Sequence, residues 1–243
     1  MTGIYREPLF ILFPISSILI GAVAFLAFAL PLSWLAIADP SSLRRYRLQQ
    51  RPDAARDAFW PSLGWFTLNL ASMLALAVLL WPLLRLSEVH AGGLPPWYEP
   101  LWQLPLFIIV DDVLFYILHR LLHTRWLYRQ VHSIHHRSSA PAALAGGYFH
   151  PVEYALINLA ALGGPLLVGA NVVTIWIWAI VRQWLAADGH SGFDLPWSPG
   201  RLLPFYPGPA YHDWHHKRFV GNYANVLCCL DRWFGTVAPA SRQ

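Results

Sequence analysis

The chain has 243 residues, 56% of them hydrophobic and only 12% charged, with a mean hydropathy of +0.40. That composition excludes an ordinary soluble domain and indicates a membrane protein. The isoelectric point near 9.3 does not imply a nucleic-acid partner, because Lys217 is the sole lysine and most of the arginines fall in the loops between apolar runs, as the positive-inside rule expects.

Residues 9–37 and 63–84 are each long enough to cross the ~30 Å hydrocarbon core as helices of about 20 residues. The first run exceeds the apolar segment of a secretion signal and no small-residue cleavage site follows it, so it is expected to remain as an anchor. Between the two runs lie Arg44, Arg45, Arg47, Arg51 and Arg56, which assign that loop to the cytoplasm. Residues 101–118, with Asp111 and Asp112, make a third span that returns to the cytoplasm ahead of Arg120, Arg125, Arg129 and Arg137.

Residues 154–186 are apolar but interrupted at Gly163-Gly164-Pro165 and Gly169-Ala170-Asn171, which predicts a bent or hairpin pair of helices. If that pair turns within the bilayer, Arg201, Lys217, Arg218, Arg232 and Arg242 reach the same side as the first loop. The expected fold is an all-α membrane bundle of about four transmembrane helices or hairpins, carrying a histidine-rich cytoplasmic cap. Residues 1–100 would be anchor spans and residues 101–243 the catalytic region. Cys228 and Cys229 are adjacent and offer no disulfide framework.

Ten of the eleven histidines follow residue 118, and eight of those fall in three clusters: "HRLLH" (His119, His123), "HSIHH" (His132, His135, His136) and "HDWHH" (His212, His215, His216). On a helix, residues three and four apart share a face, so each cluster can aim imidazoles at one point. Eight nitrogens exceed what one tetrahedral zinc site needs, so two metals are expected. The chain has neither an HExxH motif nor a cysteine ligand set, and imidazole suits iron, copper, nickel and zinc alike.

Asp112, Tyr116, His119 and His123 fall on one helical stripe. Asp112 either accepts the free N–H of a ligating imidazole or pairs with Arg120 or another arginine. His150 precedes Pro151 at a helix start with Glu153 in its first turn, and His190 follows the return of the apolar pair. Each is read as either a ligand or a cap or headgroup contact.

The order HxxxH, HxxHH, HxxHH resembles the fatty acid hydroxylase and sterol desaturase superfamily of membrane di-iron oxygenases. The resemblance is closest to the 4-methyl sterol oxidases, through "YRQVHSIHH", "FHPVEY", "DGHSGFDLP", "LLPFYPGPAYHDWHH" and "GNYANVLCCLDRWFGT", and it covers roughly residues 100 to 237. It implies two iron ions, O2 as co-substrate, and hydroxylation or desaturation of a lipid C–H bond, with no catalytic residue beyond the metal centre. The implied ligands are His119, His123, His132, His135, His136, His190, His212, His215 and His216, with His150 in the HPxE element. Asp112, Tyr116, Glu153 and Asn222 would stand behind them. Ala186 occupies a position where fatty-acyl members often carry a histidine, which favours the sterol-oxidase branch.

The resemblance further implies a membrane lipid substrate and a separate electron carrier, cytochrome b5-like or ferredoxin-like, with its reductase, since no cytochrome b5-like domain is fused to the chain. A multi-pass location in a bacterial inner membrane or the endoplasmic reticulum is expected. The alternatives are a fatty acyl or aminolipid hydroxylase, and a zinc-dependent membrane lipid hydrolase that needs neither O2 nor electrons. The lipid's identity and the oligomeric state stay open.

Overall fold

The computed structural model describes residues 2–203 and 205–238; Arg242, counted above with the cytoplasmic charges, lies outside them. Among the described residues the fold is helical, with extended pairing limited to the isolated bridges Arg47–Phe193 and His90–Asn171. Three long helices come first: α1 (Pro8–Ala38), α2 (Pro52–Leu84) and α3 (Tyr98–Leu122). All three are long and apolar enough to cross a membrane. They outrun the apolar stretches because helical turns that emerge from the hydrocarbon tolerate charge; α2 begins at Pro52 and carries Arg56 and Asp57 in its opening turns. Pro14 sits inside α1 within a widened turn, Ile11–Ile15, which accommodates the N–H that proline lacks.

The interrupted apolar region becomes α4 (Pro151–Ala161), α5 (Gly163–Leu167) and α6 (Val172–Gly189), a bent return as expected. Gly164, inside α5, has a packing reason: a Cβ there would lie 2.7 Å from Phe107 Cδ1 and 2.9 Å from Phe107 Cα, so only glycine lets α5 lie against α3. The Asn171 side chain then caps α6 by accepting the Val173 N–H.

Phe13, Trp81, Phe107, Ile175 and Trp178 share one core, and Phe25, Ala29, Phe66, Leu144 and Ala187 share another. Both cores mix residues from before and after position 100, so α1 and α2 brace the segment that carries the histidines. Val23, Leu79, Leu83 and Ile117 point outward as large exposed apolar side chains. Water would make such a surface an aggregation hazard, and a bilayer makes it the natural outer face.

The cap is built from residues 123–150 and from the chain after α6, including α7 (Pro209–Arg218) and α8 (Cys229–Trp233). Asp112, from within α3, accepts the backbone N–H groups of Asn225 at 3.0 Å, Val226 at 2.7 Å and Leu227 at 3.0 Å. This corrects the expectation that Asp112 backs a histidine or pairs with Arg120, whose guanidinium lies instead over the Tyr116 ring. Three amides that point at one carboxylate outcompete a more distant cation, because each bond is short and directional. Asp112→Ala should therefore cost about 3 kcal/mol, the desolvation of three stranded amides, read as a lower denaturation midpoint in detergent.

Candidate metal centre

The nine histidines from 119 to 216 other than His150 converge in two groups. His119, His123, His132, His136 and His215 make the first, and His135, His190, His212 and His216 the second; within each group the facing nitrogens lie within 4.8 Å of one another. His119 belongs to the last turn of α3 and His123 follows it at the helix end. The chain then winds through a widened turn, Tyr128–His132, and a tight one, His135–Arg137. That change of pitch breaks the simple helical face predicted for "HSIHH": His132 and His136 turn to the first group while His135 turns to the second.

α7 divides its histidines in the same way. His212 and His216, four residues apart, face the second group, and His215 faces the first. Each HxxHH motif therefore serves both groups instead of one point. Phe219 ends α7 in the left-handed conformation (φ 63°), and the following Gly221 has φ 72°, where a Cβ would meet Ala238 N and Thr236 O at 2.9 Å. Glycine at 221 lets the chain turn back so that its carbonyl accepts the His215 Nδ1–H at 2.7 Å.

The hydrogen bonds fix which ring nitrogen faces inward. Nδ1 of His119 donates to Tyr223 O at 2.8 Å, of His190 to Ala186 O at 2.8 Å, of His216 to Ser138 O at 3.1 Å, and of His135 to Tyr148 O at 3.3 Å. His132 Nδ1 donates to Glu153 Oε1 at 2.6 Å. An oxygen acceptor on Nδ1 puts the hydrogen there and leaves Nε2 a lone pair. The Nε2 atoms crowd together, at 3.0 Å between His132 and His123, 3.0 Å between His136 and His132, and 3.0 Å between His212 and His190; His136 and His212 have no acceptor on Nδ1, so without a metal they can donate from Nε2.

Where both Nδ1 atoms are committed to carbonyls, as in His135 and His190, two lone pairs face each other at 3.4 Å, and a cation between them would turn that repulsion into binding. Two imidazole-rich pockets fit a pair of iron ions, and they would fit other late first-row metals as well. Burial adds to the argument, since eight of the nine are buried and only His123 is half-exposed. Desolvation, helped by neighbouring His119, pushes His123 down to about 3, and burial pushes His190 down to about 4. Burial likewise lowers His132, His135, His136, His212, His215 and His216. The rings are neutral, which is the ligating form.

His150 is not brought to either group. Its Nδ1 accepts the Val152 N–H at 3.2 Å, so it caps α4, one of the roles open to it from sequence. His150→Ala should leave metal content unchanged and cost about 1 kcal/mol of stability, as loss of an N-cap does; metal analysis beside a melting curve checks both. Tyr116 donates to or accepts from Thr236 Oγ1 at 2.8 Å, and Asn222 bridges Tyr211 O and the Ala238 N–H, so both hold the cap loops and neither touches a histidine. Glu153 alone of the four backing residues binds a ring.

Gln49, which no sequence pattern singled out, reaches from the α1–α2 loop to donate to Asp213 Oδ1 at 3.0 Å and Ser139 O at 2.9 Å. It ties the N-terminal half to α7. A cavity lined by His119, His132, His135, His190 and His212 also meets Ala186, so the residue type at that position faces the centre.

Residues 104–236 match the fatty acid hydroxylase family. Methylsterol monooxygenase 2-2 of Arabidopsis thaliana is 37% identical over 175 residues, 70% of this chain and 64% of that protein. Methylsterol monooxygenase 1-1 of the same plant is 33% identical over 224 residues, 87% of this chain and 74% of that protein. The very-long-chain aldehyde decarbonylase GL1-10 of Oryza sativa subsp. japonica is 32% identical over 228 residues, 90% and 75% of the two chains. The match thus spans less than two thirds of the first of these relatives. No solved structure matches the chain.

Proposed function

Because this chain belongs to the fatty acid hydroxylase family, we propose that it is an O2-dependent membrane oxidoreductase that hydroxylates or desaturates a C–H bond of a lipid, most like a 4-methyl sterol oxidase. The observation that carries the reading is the convergence of nine inward-facing imidazole nitrogens in two adjacent groups. His119, His123, His132, His136 and His215 would hold one iron, and His135, His190, His212 and His216 the other. Bound there, the two irons supply the redox chemistry by which R–H, O2, two electrons and two protons become R–OH and water.

The chain's own residues do the rest. Carbonyls and Glu153 hold six of the nine rings in one tautomer, the buried cap keeps bulk water from the reacting centre, and the apolar cavity between the helices admits the lipid. The relatives are named for methylsterols and very-long-chain aldehydes, two classes that carry one oxygen on a large apolar skeleton. Electrons come from a separate carrier, cytochrome b5-like or ferredoxin-like. The cap faces the cytoplasm, a placement supported by Arg44, Arg45, Arg47 and Arg51 at the same end of α1 as Gln49 and its partner Asp213.

Metal analysis of protein from an iron-supplemented host, with lipid profiling of a deletion strain under labelled O2, tests this. About two irons per chain and label in the product support it. One zinc per chain and turnover without O2 would replace it with the hydrolase reading.

A further inference from the structure

Two cavities meet inside the helix bundle. One is apolar and lies among α1, α2, α4 and α6; the other is the histidine-lined cavity already described. Tyr154, Asn158, Arg182 and Gln183 line both, so a lipid passing from one to the other must pass these four residues. They make a polar collar, contributed by facing turns of α4 and α6, in a passage that is otherwise hydrocarbon on one side.

The collar's hydrogen-bonding capacity is incompletely used among the described residues. Asn158 Nδ2 donates to Tyr154 O at 2.8 Å, which leaves its carbonyl oxygen free. Arg182 Nε donates to Asp111 Oδ2 at 3.0 Å and its Nη2 to Ile157 O at 2.9 Å, which leaves Nη1 free. The Gln183 amide makes no hydrogen bond and instead packs toward α1, its Nε2 3.7 Å from where a Cβ would project from Gly21. Asp111 itself is buried with Oδ1 unpartnered. Polar and charged groups at this level of a membrane protein are costly, and unsatisfied ones there mark a place where a ligand binds.

The chemistry of the collar narrows that ligand. Arg182 and the Gln183 amide can donate to a carbonyl oxygen, and the free oxygens of Asn158 and Gln183 can accept from a hydroxyl. The charge of Arg182 is balanced by Asp111, so the collar has no net attraction for a carboxylate. We propose that Asn158, Arg182 and Gln183 grip a hydroxyl or carbonyl oxygen of the substrate, so that the bond oxidised lies next to that oxygen and the apolar remainder fills the cavity between α1 and α2. The collar thus sets which carbon is presented to the centre. This rests on the lipid-oxidase reading above.

The test is binding to the full chain in detergent, without iron loading, using two matched pairs of tritiated probes: 4α-methylcholestan-3β-ol against 4α-methylcholestane, and octacosanal against octacosane. The wild-type chain should bind the oxygenated member of at least one pair about tenfold more tightly, because a site built to hydrogen-bond an oxygen rejects the analogue without it. Gln183→Leu and Asn158→Leu should each bring that ratio close to one while hydrocarbon binding persists, which also reports that the variants are folded. Equal affinity within both pairs for the wild type, or a ratio that survives both substitutions, overturns the collar. Discrimination in the aldehyde pair alone keeps the collar and removes the sterol assignment. Discrimination by a chain that, once loaded with iron and given electrons, oxidises neither oxygenated probe keeps the collar and removes the oxidase reading.

Discussion

Replacing Glu153 by alanine is expected to weaken iron binding by about 10- to 100-fold, the usual consequence of removing a carboxylate behind a ligating imidazole. Glu153 Oε1 lies 2.6 Å from His132 Nδ1, and the two side chains are 2% and 1% exposed. His132 stands at the middle of the first group, with its Nε2 3.0 Å from both His123 Nε2 and His136 Nε2. Without the carboxylate the ring can move its hydrogen from Nδ1 to Nε2, which points a proton instead of a lone pair at the ion. Glu153→Gln keeps an oxygen acceptor and loses the charge, so it should fall between alanine and wild type. Chelator competition on the loaded protein measures the series. If alanine and glutamine both retain iron as tightly as the wild type, Glu153 does not orient His132.

The second large effect is one of stability. Asp231, fully buried, accepts four hydrogen bonds: from Tyr211 Oη at 2.9 Å, Tyr223 N at 3.0 Å, Ala224 N at 2.8 Å and Thr236 Oγ1 at 2.6 Å. One carboxylate, on α8, thereby pins α7, the loop after it and the chain beyond α8 together. Asp231→Ala strands two amides and two hydroxyls, and at about 1–3 kcal/mol for each unsatisfied group the loss should reach about 4 kcal/mol. That is a large part of the 5–15 kcal/mol by which proteins of this kind are folded. It also reaches the centre, because Tyr223 O is the acceptor that sets the His119 tautomer. Limited proteolysis of the cap, with a melting curve, checks it. Asp231→Asn keeps one acceptor oxygen and should lose less, and equal stability of wild type and alanine variant would show that the hub contributes nothing.

The long helices were legible because length and apolarity alone decide them, and the bend at Gly163-Gly164-Pro165 was legible because three poor helix formers in a row break a helix that the single prolines inside α1, α2 and α3 do not. The histidine motifs were legible by spacing and by family resemblance. What the sequence concealed was their distribution: the pitch change at Tyr128–His132 sends neighbouring rings to different groups, and no periodicity announces a widened turn. Asp112 misled for a related reason. A helical stripe shows which side chains share a face, but the partners of Asp112 are amides more than a hundred residues away. Gln49, Asp231 and the pairing of Arg182 with Asp111 were invisible on the same grounds. Each is a contact between distant segments made by residues that are unremarkable locally.

The division of each HxxHH motif between two groups bears on how such a protein is made. The first group lacks a member until residue 215 has been translated, and the second until residue 216. No chain that ends before residue 215 completes either group, although α1, α2 and α3 have long since left the ribosome. On the proposed metal-binding reading, the membrane helices are made before either pocket is complete, so insertion would precede metal capture.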